Sequence, residues 1–231
     1  MIVGVAYPYP PYAVDAVEGV YDVLGRPHQH FALQACRGLA DRFYVLTSRP
    51  EVRAEALACG YAVMPWERLE ASQGLLPGHR MTNAMMDFIR EDLGVDYETL
   101  MRRHFLHMNL ANALVRRETL LAMREAAVSR GLPFLYLAVR LREALGVVGA
   151  QGAMVSVLND APLAMEEGCV PPLVRYDHAT RFSCEGSVRA GLPRHFVHPV
   201  SELEALRVDG PDKARLASFI LGELPGYHLE A

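Results

Sequence analysis

One segment, residues 41–65, constrains the fold of this chain more than any other. Residues 43–47 are apolar, rich in β-forming residues and free of polar alternation, which predicts a strand buried on both faces. An alanine-rich helix is predicted over residues 51–59, ended by Gly60, and a second strand over residues 61–64. A strand, a short helix and a strand in close succession form a βαβ unit, which predicts a parallel sheet.

The same alternation of short apolar runs and helical periods extends along the chain. Strands of one sheet are predicted at residues 2–6, 43–47, 134–139 and 154–158. Helices are predicted at residues 27–40, 51–59, 82–92 and 118–130, with capping residues Ser48, paired with Glu51, and Thr82. We therefore expect an α/β fold of three layers with a mainly parallel sheet, built as a single domain over residues 1–231.

Charge and cysteine content narrow the classes of partner and compartment. The formal charge of −4 leaves no electrostatic footprint for nucleic acid or an anionic membrane, so neither is an expected partner. The four cysteines show no CxxC spacing, and no signal peptide or membrane-spanning apolar run is evident. These features favour reduced thiols and a cytoplasmic location.

The βαβ unit resembles the second such unit of the sugar nucleotidyltransferases, in particular the acylneuraminate cytidylyltransferases, which make CMP-activated sugar acids. Residues 42–47 correspond to the strand of that family, and residues 59–63 to the turn into the next strand. Further matches follow in the same order at residues 23–28, 104–120 and 206–217. The resemblance implies a Rossmann-like nucleotide-diphospho-sugar transferase (GT-A-like) fold that binds a nucleotide and a small-molecule substrate.

The loop after the first strand departs most from that family. The family's loop is rich in glycine and lysine and wraps the nucleotide phosphates, whereas residues 7–19 contain three prolines and no lysine or arginine. Because proline has no N–H donor, phosphate binding by this backbone is weakened. A loop at the carboxyl end of the first strand still normally meets the ligand. Its predicted nucleotide-binding or substrate-binding residues are Tyr7, Tyr9, Tyr12 and Asp15.

Residues 104–120 resemble the family's strand and loop that read the base and carry the sugar. His107 stands for the family's glutamine, and Asn109 and Asn112 stand near its hydroxyl-bearing loop. The resemblance implies that these three residues contact the base or the sugar. His107 is expected to be buried and neutral beside the pocket, whereas exposure is expected for His28, early in a helix.

Positive charge for the reaction is expected from arginine, because Lys213 is the only lysine. Arg26 belongs to the match at residues 23–28, Arg68 lies close to the position of the family's arginine, and Arg80 follows in a predicted loop. These three are the predicted catalytic residues, since nucleotidyl transfer depends on positioning and charge stabilisation.

Residues 206–217 resemble the motif in which the family holds Mg²⁺ with two carboxylates. Asp209 matches one of these carboxylates, but Arg207 occupies the position of the other. Asp209 is therefore a candidate ligand of Mg²⁺, and the alternative is that it only caps a helix.

Three functions are compatible with these observations. The first is a divergent, cytidylyltransferase-like nucleotidyltransferase that couples a nucleoside triphosphate to a sugar acid or a related small molecule. The second is a catalytically silent homologue that binds a nucleotide, a sugar or a partner chain. The third is a glycosyltransferase, which is least favoured because the chain contains no Asp-x-Asp sequence.

Position and composition also predict where ligand and partner lie. The pocket is expected between the first loop, the loop after residues 105–107, and Asp209. Residues 159–181 are irregular and carry several apolar side chains, which one domain would not fully cover. A homodimer is therefore expected, with residues 159–190 as its dimerisation arm.

Overall fold

A computed structural model describes residues 1–8, 19–71, 77–140, 146–148, 154–156, 174–184, 186 and 195–224. The strands are β1 (Ile2–Tyr7), β2 (Asp22–Val23), β3 (Arg26–Pro27), β4 (Arg42–Leu46), β5 (Ala62–Met64), β6 (His104–Asn109), β7 (Phe134–Arg140), β8 (Gly146–Val148), β9 (Met154–Ser156), β10 (Val174–Ser183) and β11 (His195–Val200). The helices are α1 (Gln29–Ala35), α2 (Pro50–Ala58), α3 (Trp66–Ala71), α4 (Pro77–Leu93), α5 (Tyr97–Met101), α6 (Arg117–Ser129) and α7 (Pro211–Glu223).

A seven-stranded sheet runs through the molecule in the order β11-β7-β10-β6-β1-β4-β5. Its strands are parallel except for β10, which runs antiparallel to β6 and β7. The βαβ unit predicted from residues 41–65 is β4–α2–β5, with Gly60 at a positive φ of 77° where the helix ends. The predicted α/β class and mainly parallel sheet are confirmed.

Helices cover this sheet in two layers. Alternate residues of β1 face opposite sides, because side chains alternate along a strand. Ile2 and Ala6 pack in a core with residues of α1, α2 and α6. Val3 and Val5 pack in a second core with residues of α4 and α5. The three-layer arrangement predicted from the sequence therefore follows from two apolar faces of one strand.

A third, smaller core lies beyond the carboxyl ends of β1 and β6. It joins Val23 of β2, Phe31 of α1, Leu114 from the loop after β6, and Ala217 of α7. This core fixes the β2–β3 hairpin and α7 against the edge of the sheet where the loops after β1 and β6 begin. Among the described residues, no helix is both long enough and apolar enough to cross a membrane.

The strand predicted at residues 154–158 is not in the main sheet. Residues Met154–Ser156 pair antiparallel with Gly146–Val148 in a separate two-stranded sheet. The prediction was wrong because an apolar run of this length indicates a strand without indicating its partner. The main sheet instead takes β10, from a stretch predicted to be irregular up to Arg181.

Several predicted element boundaries were also wrong. Helix α1 begins at Gln29 rather than Pro27, because Arg26 and Pro27 form β3. The N-cap of helix α2 is Arg49, one residue later than the predicted cap Ser48, and the Arg49 side chain makes no capping hydrogen bond. Helix α4 starts at Pro77, which leaves Thr82 inside the helix rather than at its start.

Candidate functional site

The strand order reverses between β1 and β6. From β1 the chain builds β4 and β5 on one side, then crosses over to build β6 on the other. Tyr7, the last residue of β1, is the register partner of Asn109, the last residue of β6. In open α/β sheets, ligands bind in the crevice outside the carboxyl ends of the strands at such a reversal. The carboxyl ends of β1 and β6 therefore define the candidate site.

Backbone hydrogen bonds tie three segments together at this edge. Leu110 N donates to Tyr7 O at 3.1 Å, which joins the loop after β6 to the end of β1. Val208 N donates to Ala111 O at 2.7 Å, which joins the same loop to the segment before α7. The structure thus brings Tyr7, Asn109 and Val208, the neighbour of Asp209, to one edge of the sheet. The pocket was predicted from the sequence among these segments.

A buried neutral network fixes the loop after β6. Thr180 Oγ1 on β10 accepts from Asn112 Nδ2 at 2.8 Å and from Asn109 N at 3.3 Å. Asn109 Oδ1 accepts from Ala111 N at 2.9 Å, which fixes the orientation of the Asn109 amide. The side chains that form this network, those of Asn109, Asn112 and Thr180, are fully buried. Sequence reasoning missed Thr180, because it lies on a strand that shows no strand pattern.

The Asn109 amide leaves one donor group without a partner among the described residues. Its Nδ2 is buried and makes no hydrogen bond there. The amide cannot simply be turned round, because Ala111 N must meet an oxygen. An unmet buried donor costs about 1–3 kcal/mol. Such a group at a sheet edge is a candidate for contact with a ligand or a bound water.

His107 lies in β6, two residues before the end of the strand, and is half-buried. Its Nε2 lies 2.9 Å from Ser183 Oγ, and its ring meets the Tyr7 ring edge-on at 6.2 Å between centroids. Burial, together with the nearby Arg181 charge, holds the pKa of His107 well below 6.5. His107 is therefore neutral near pH 7, as expected from the sequence.

A second histidine of interest, His28, lies between the β2–β3 hairpin and α7. His28 is buried, and this corrects the expectation of an exposed residue. Tyr21 N donates to His28 Nδ1 at 3.3 Å, while Tyr21 Oη donates to Asp209 O at 3.2 Å. Burial lowers the pKa of His28 to about 4, although the charge of Asp209 acts in the opposite direction. The sequence signal was the β2–β3 turn at Leu24-Gly25, which folds Tyr21 back onto His28.

Asp209 forms an ion pair with Lys213. Lys213 Nζ lies 2.7 Å from Asp209 Oδ1, and both side chains are partly exposed. Asp209 does not cap α7, whose N-cap is Gly210, so the capping alternative was wrong. No group of three histidine, cysteine, aspartate or glutamate residues that could hold a metal ion occurs in the described part of the chain. The described residues therefore do not fit the two-carboxylate Mg²⁺ site implied by the resemblance.

Of the three predicted catalytic arginines, two are ion-paired with glutamates and the side chain of the third lies outside the described part of the structure. Arg26 pairs with Glu55 at 3.3 Å. Arg68 binds Glu91 at 2.6 Å and lies over the Phe88 ring at 5.2 Å. Arg80 falls in α4, but its side chain lies outside the described part of the structure. Tyr9, Tyr12 and Asp15 also lie outside the described residues.

Two charged groups near the site were missed by sequence reasoning. Arg49 follows β4, next to β1, and its Nε is buried without a partner among the described residues. Glu204 is almost fully buried and accepts from Arg116 N at 3.0 Å, at the N-cap of α6. Arg116 ends the loop that carries Asn109 and Asn112, so Glu204 anchors that loop. Neither residue belongs to a recognisable sequence motif.

Comparison with known proteins identifies this fold. No protein-family model and no curated protein matches the sequence. The structure is similar to that of 4-diphosphocytidyl-2C-methyl-D-erythritol synthase, with a TM-score of 0.62 and 11% identity over 95% of this chain and 98% of that chain. It is also similar to CMP:2-keto-3-deoxy-manno-octonic acid synthetase complexed with CTP, with a TM-score of 0.55 and 12% identity over 96% of this chain and 99% of that chain. The chain thus shares the fold of these two proteins at low sequence identity.

Proposed function

We propose that the protein is a divergent nucleotidyltransferase that binds a nucleoside triphosphate of the CTP type at the carboxyl ends of β1 and β6. The observation that carries this proposal is the pairing of Tyr7 with Asn109 at the point where the strand order reverses. The fold supports it, since one similar structure is a synthetase complexed with CTP. Because one fold serves many functions, the residues at the site specify what it binds.

Neutral polar groups suit the base and the sugar. Asn109 Nδ2 is a buried donor without a partner among the described residues, and a pyrimidine base offers carbonyl and ring-nitrogen acceptors. His107 is neutral, so one of its ring nitrogens donates a hydrogen bond and the other accepts one. The tautomer decides which nitrogen has which role. The ring of Tyr7, which is buried in the second core, packs edge-on against His107 and fixes its position.

The phosphates require positive charge, which Arg49 is placed to supply from the start of α2. Its guanidinium suits bidentate contact with phosphate oxygens. Arg26, Arg68 and Arg80 remain predicted catalytic residues, although Arg26 and Arg68 are already ion-paired with glutamates. In the proposed reaction an acceptor oxygen attacks the α-phosphorus, the bond to the β-phosphate oxygen breaks, and pyrophosphate leaves. The protein positions both reactants and stabilises the developing charge.

A catalytically silent nucleotide-binding protein is the second candidate. Two observations favour it: the proline-rich sequence after β1, which removes phosphate-binding donors, and the pairing of Asp209 with Lys213. Such a protein would bind the nucleotide through the base and the sugar and would release no pyrophosphate.

Assembly and location are proposed on sequence grounds. We infer one domain over residues 1–231 and a homodimer formed through residues 159–190. The reduced cysteines favour the cytoplasm, since Cys36, Cys59 and Cys184 are free thiols.

The test is titration calorimetry with each of the four nucleoside triphosphates, followed by an assay of pyrophosphate release from CTP. The acceptor in that assay is 2-keto-3-deoxy-manno-octonic acid, chosen from the similar synthetase. Saturable CTP binding that is weakened in Asn109→Leu, together with acceptor-dependent pyrophosphate release, supports the transferase. Binding without release supports the silent homologue. The absence of heat with every nucleotide contradicts both candidates.

A further inference from the structure

We propose that this site binds its nucleotide without a divalent metal ion, and that the ammonium group of Lys213 supplies positive charge there in place of the metal. The proposal rests on the proposed nucleotide site and extends it. It concerns the same edge of the sheet, where the resemblance implied two carboxylates and the structure has a different set of groups.

The strand ends at the reversal point offer amides and a hydroxyl in place of carboxylates. Asn109 and Asn112 are neutral, and their partner Thr180 accepts both hydrogen bonds on one oxygen. The Asn109 oxygen, which could otherwise coordinate a cation, is used by Ala111 N at 2.9 Å. Mg²⁺ is usually bound through one or two carboxylates together with substrate phosphates, so this donor set is poor for Mg²⁺.

The one carboxylate in the predicted metal position is already neutralised. Asp209 Oδ1 lies 2.7 Å from Lys213 Nζ, one helical turn ahead. Two residues before Asp209, where a second carboxylate would be needed, stands the half-buried Arg207. A metal ion at Asp209 would lie close to the ammonium group of Lys213, which like-charge repulsion disfavours.

Lys213 itself is unusual in both composition and position. It is the only lysine in a chain whose other basic residues are all arginine. It lies in the first turn of α7, where the helix dipole disfavours a positive charge. An ammonium group has three N–H donors, and Asp209 accepts a hydrogen bond from one of them. Lys213 therefore presents a cation in the first turn of α7, beside the segment that joins the loop after β6.

The segment that carries this pair is tied to the site. Val208 N binds Ala111 O, and Tyr21 Oη binds Asp209 O at 3.2 Å. The pair is partly exposed, so the ammonium group remains accessible to a ligand. A phosphate group is the acceptor chemistry that such a cation recognises.

The experiment measures CTP affinity by titration calorimetry in excess EDTA and again in millimolar Mg²⁺. We expect the two dissociation constants to agree within about threefold. Lys213→Met should weaken CTP binding by roughly 10- to 100-fold, the range for a lost hydrogen bond to a charged group, and Lys213→Arg should restore most of it. Arg215→Met is the matched control, because Arg215 forms a comparable exposed pair with Asp212 on the same helix and should leave affinity unchanged.

A second measurement needs no nucleotide. The free protein is titrated with Mn²⁺, and binding is followed by water-proton relaxation. We expect no saturable Mn²⁺ site that depends on Asp209, that is, none that is lost in Asp209→Asn. CTP binding that requires Mg²⁺, or a Mn²⁺ site lost in Asp209→Asn, overturns this inference and leaves the nucleotide site standing. Unchanged affinity in Lys213→Met overturns the role of Lys213. The absence of CTP binding in both buffers overturns the proposed function and this inference together.

Discussion

The two halves of the central sheet, on either side of the β1–β6 junction, differ on one face. In the half formed by β1, β4 and β5, this face is apolar and packs against α4 and α5 through residues such as Val5 and Leu46. In the half formed by β6, β10 and β7, the same face carries His107, Arg181 and Tyr136 in one cross-strand row. The opposite face is apolar in both halves.

The apolar half of the sheet serves as a scaffold, whereas the polar half borders the candidate site. A sheet buried on both faces is stabilised by apolar packing alone, and its strands follow from simple patterning. Polar side chains inside a sheet need hydrogen-bond partners, and those of the second half find them in one another, as His107 does with Ser183. The polar half begins at the strand where the order reverses, which is why the candidate site lies on its border.

The largest expected effect tests whether the two faces of β10 differ as described. Phe182 is buried in the apolar core, whereas its neighbour Ser183 faces the polar row. Phe182→Ala should lower the free energy of unfolding by about 4 kcal/mol, because it removes a large side chain and leaves a cavity. Ser183→Ala should lower it by only about 1 kcal/mol, the value of one hydrogen bond.

Urea denaturation of the two variants measures both values. The exposed Leu216→Ala serves as the control, since a surface substitution changes stability by about 0.5 kcal/mol or less. Equal losses in Phe182→Ala and Ser183→Ala would mean that β10 does not divide an apolar face from a polar one.

The sequence predicted the apolar half of the sheet better than the polar half. β1, β4 and β5 were found as strands because each is a short apolar run, and Gly60 marked the turn between α2 and β5. β10 was missed because residues such as Asp177 and Arg181 interrupt any period, and a register shift lies between them.

The site was predicted in part for a similar reason. Asn109 and Asn112 were found because they follow a strand, and position at a strand end is visible in the sequence. Thr180 and Glu204 were not found, because each meets the loop after β6 only through a contact distant in sequence. Ion pairing of Asp209 with Lys213 also depends on where α7 begins, which Gly210 and Pro211 decide.

The next largest effect concerns the buried neutral histidines. The pKa of His28 falls from 6.5 to about 4 on folding, so the unfolded state binds a proton first as the pH decreases. Stability from this group is therefore full above pH 6.5 and is lost towards pH 4. Between pH 6.5 and 5 the loss should be about 2 kcal/mol. His107, whose pKa is also lowered by burial, adds to the loss with the same sign.

Denaturation curves at pH 7.5 and pH 5 check this dependence. His28→Asn keeps an acceptor for Tyr21 N and does not titrate, so its stability should depend less on pH than that of the wild type. If both proteins lose stability equally between these pH values, His28 is not buried and neutral as described.

A smaller effect is expected at the anchor of the loop after β6. Glu204 accepts from Arg116 N at the N-cap of α6, and Arg116 itself is largely exposed. Glu204→Ala should lower the free energy of unfolding by about 1.5 kcal/mol, the loss of a helix cap and a charged hydrogen bond. Glu202→Ala, an exposed neighbour, is the matched control and should be close to wild type in the same urea titration.

The position of the proposed nucleotide site is tested most directly by backbone hydrogen exchange with and without saturating CTP, followed by mass spectrometry. The expected result is slower exchange at residues 110–115 and 21–28, which border the ends of β1 and β6, with no change at the far edge strand β11. Slower exchange confined to β11, or no change anywhere in the chain, would contradict a nucleotide site at the point where the strand order reverses.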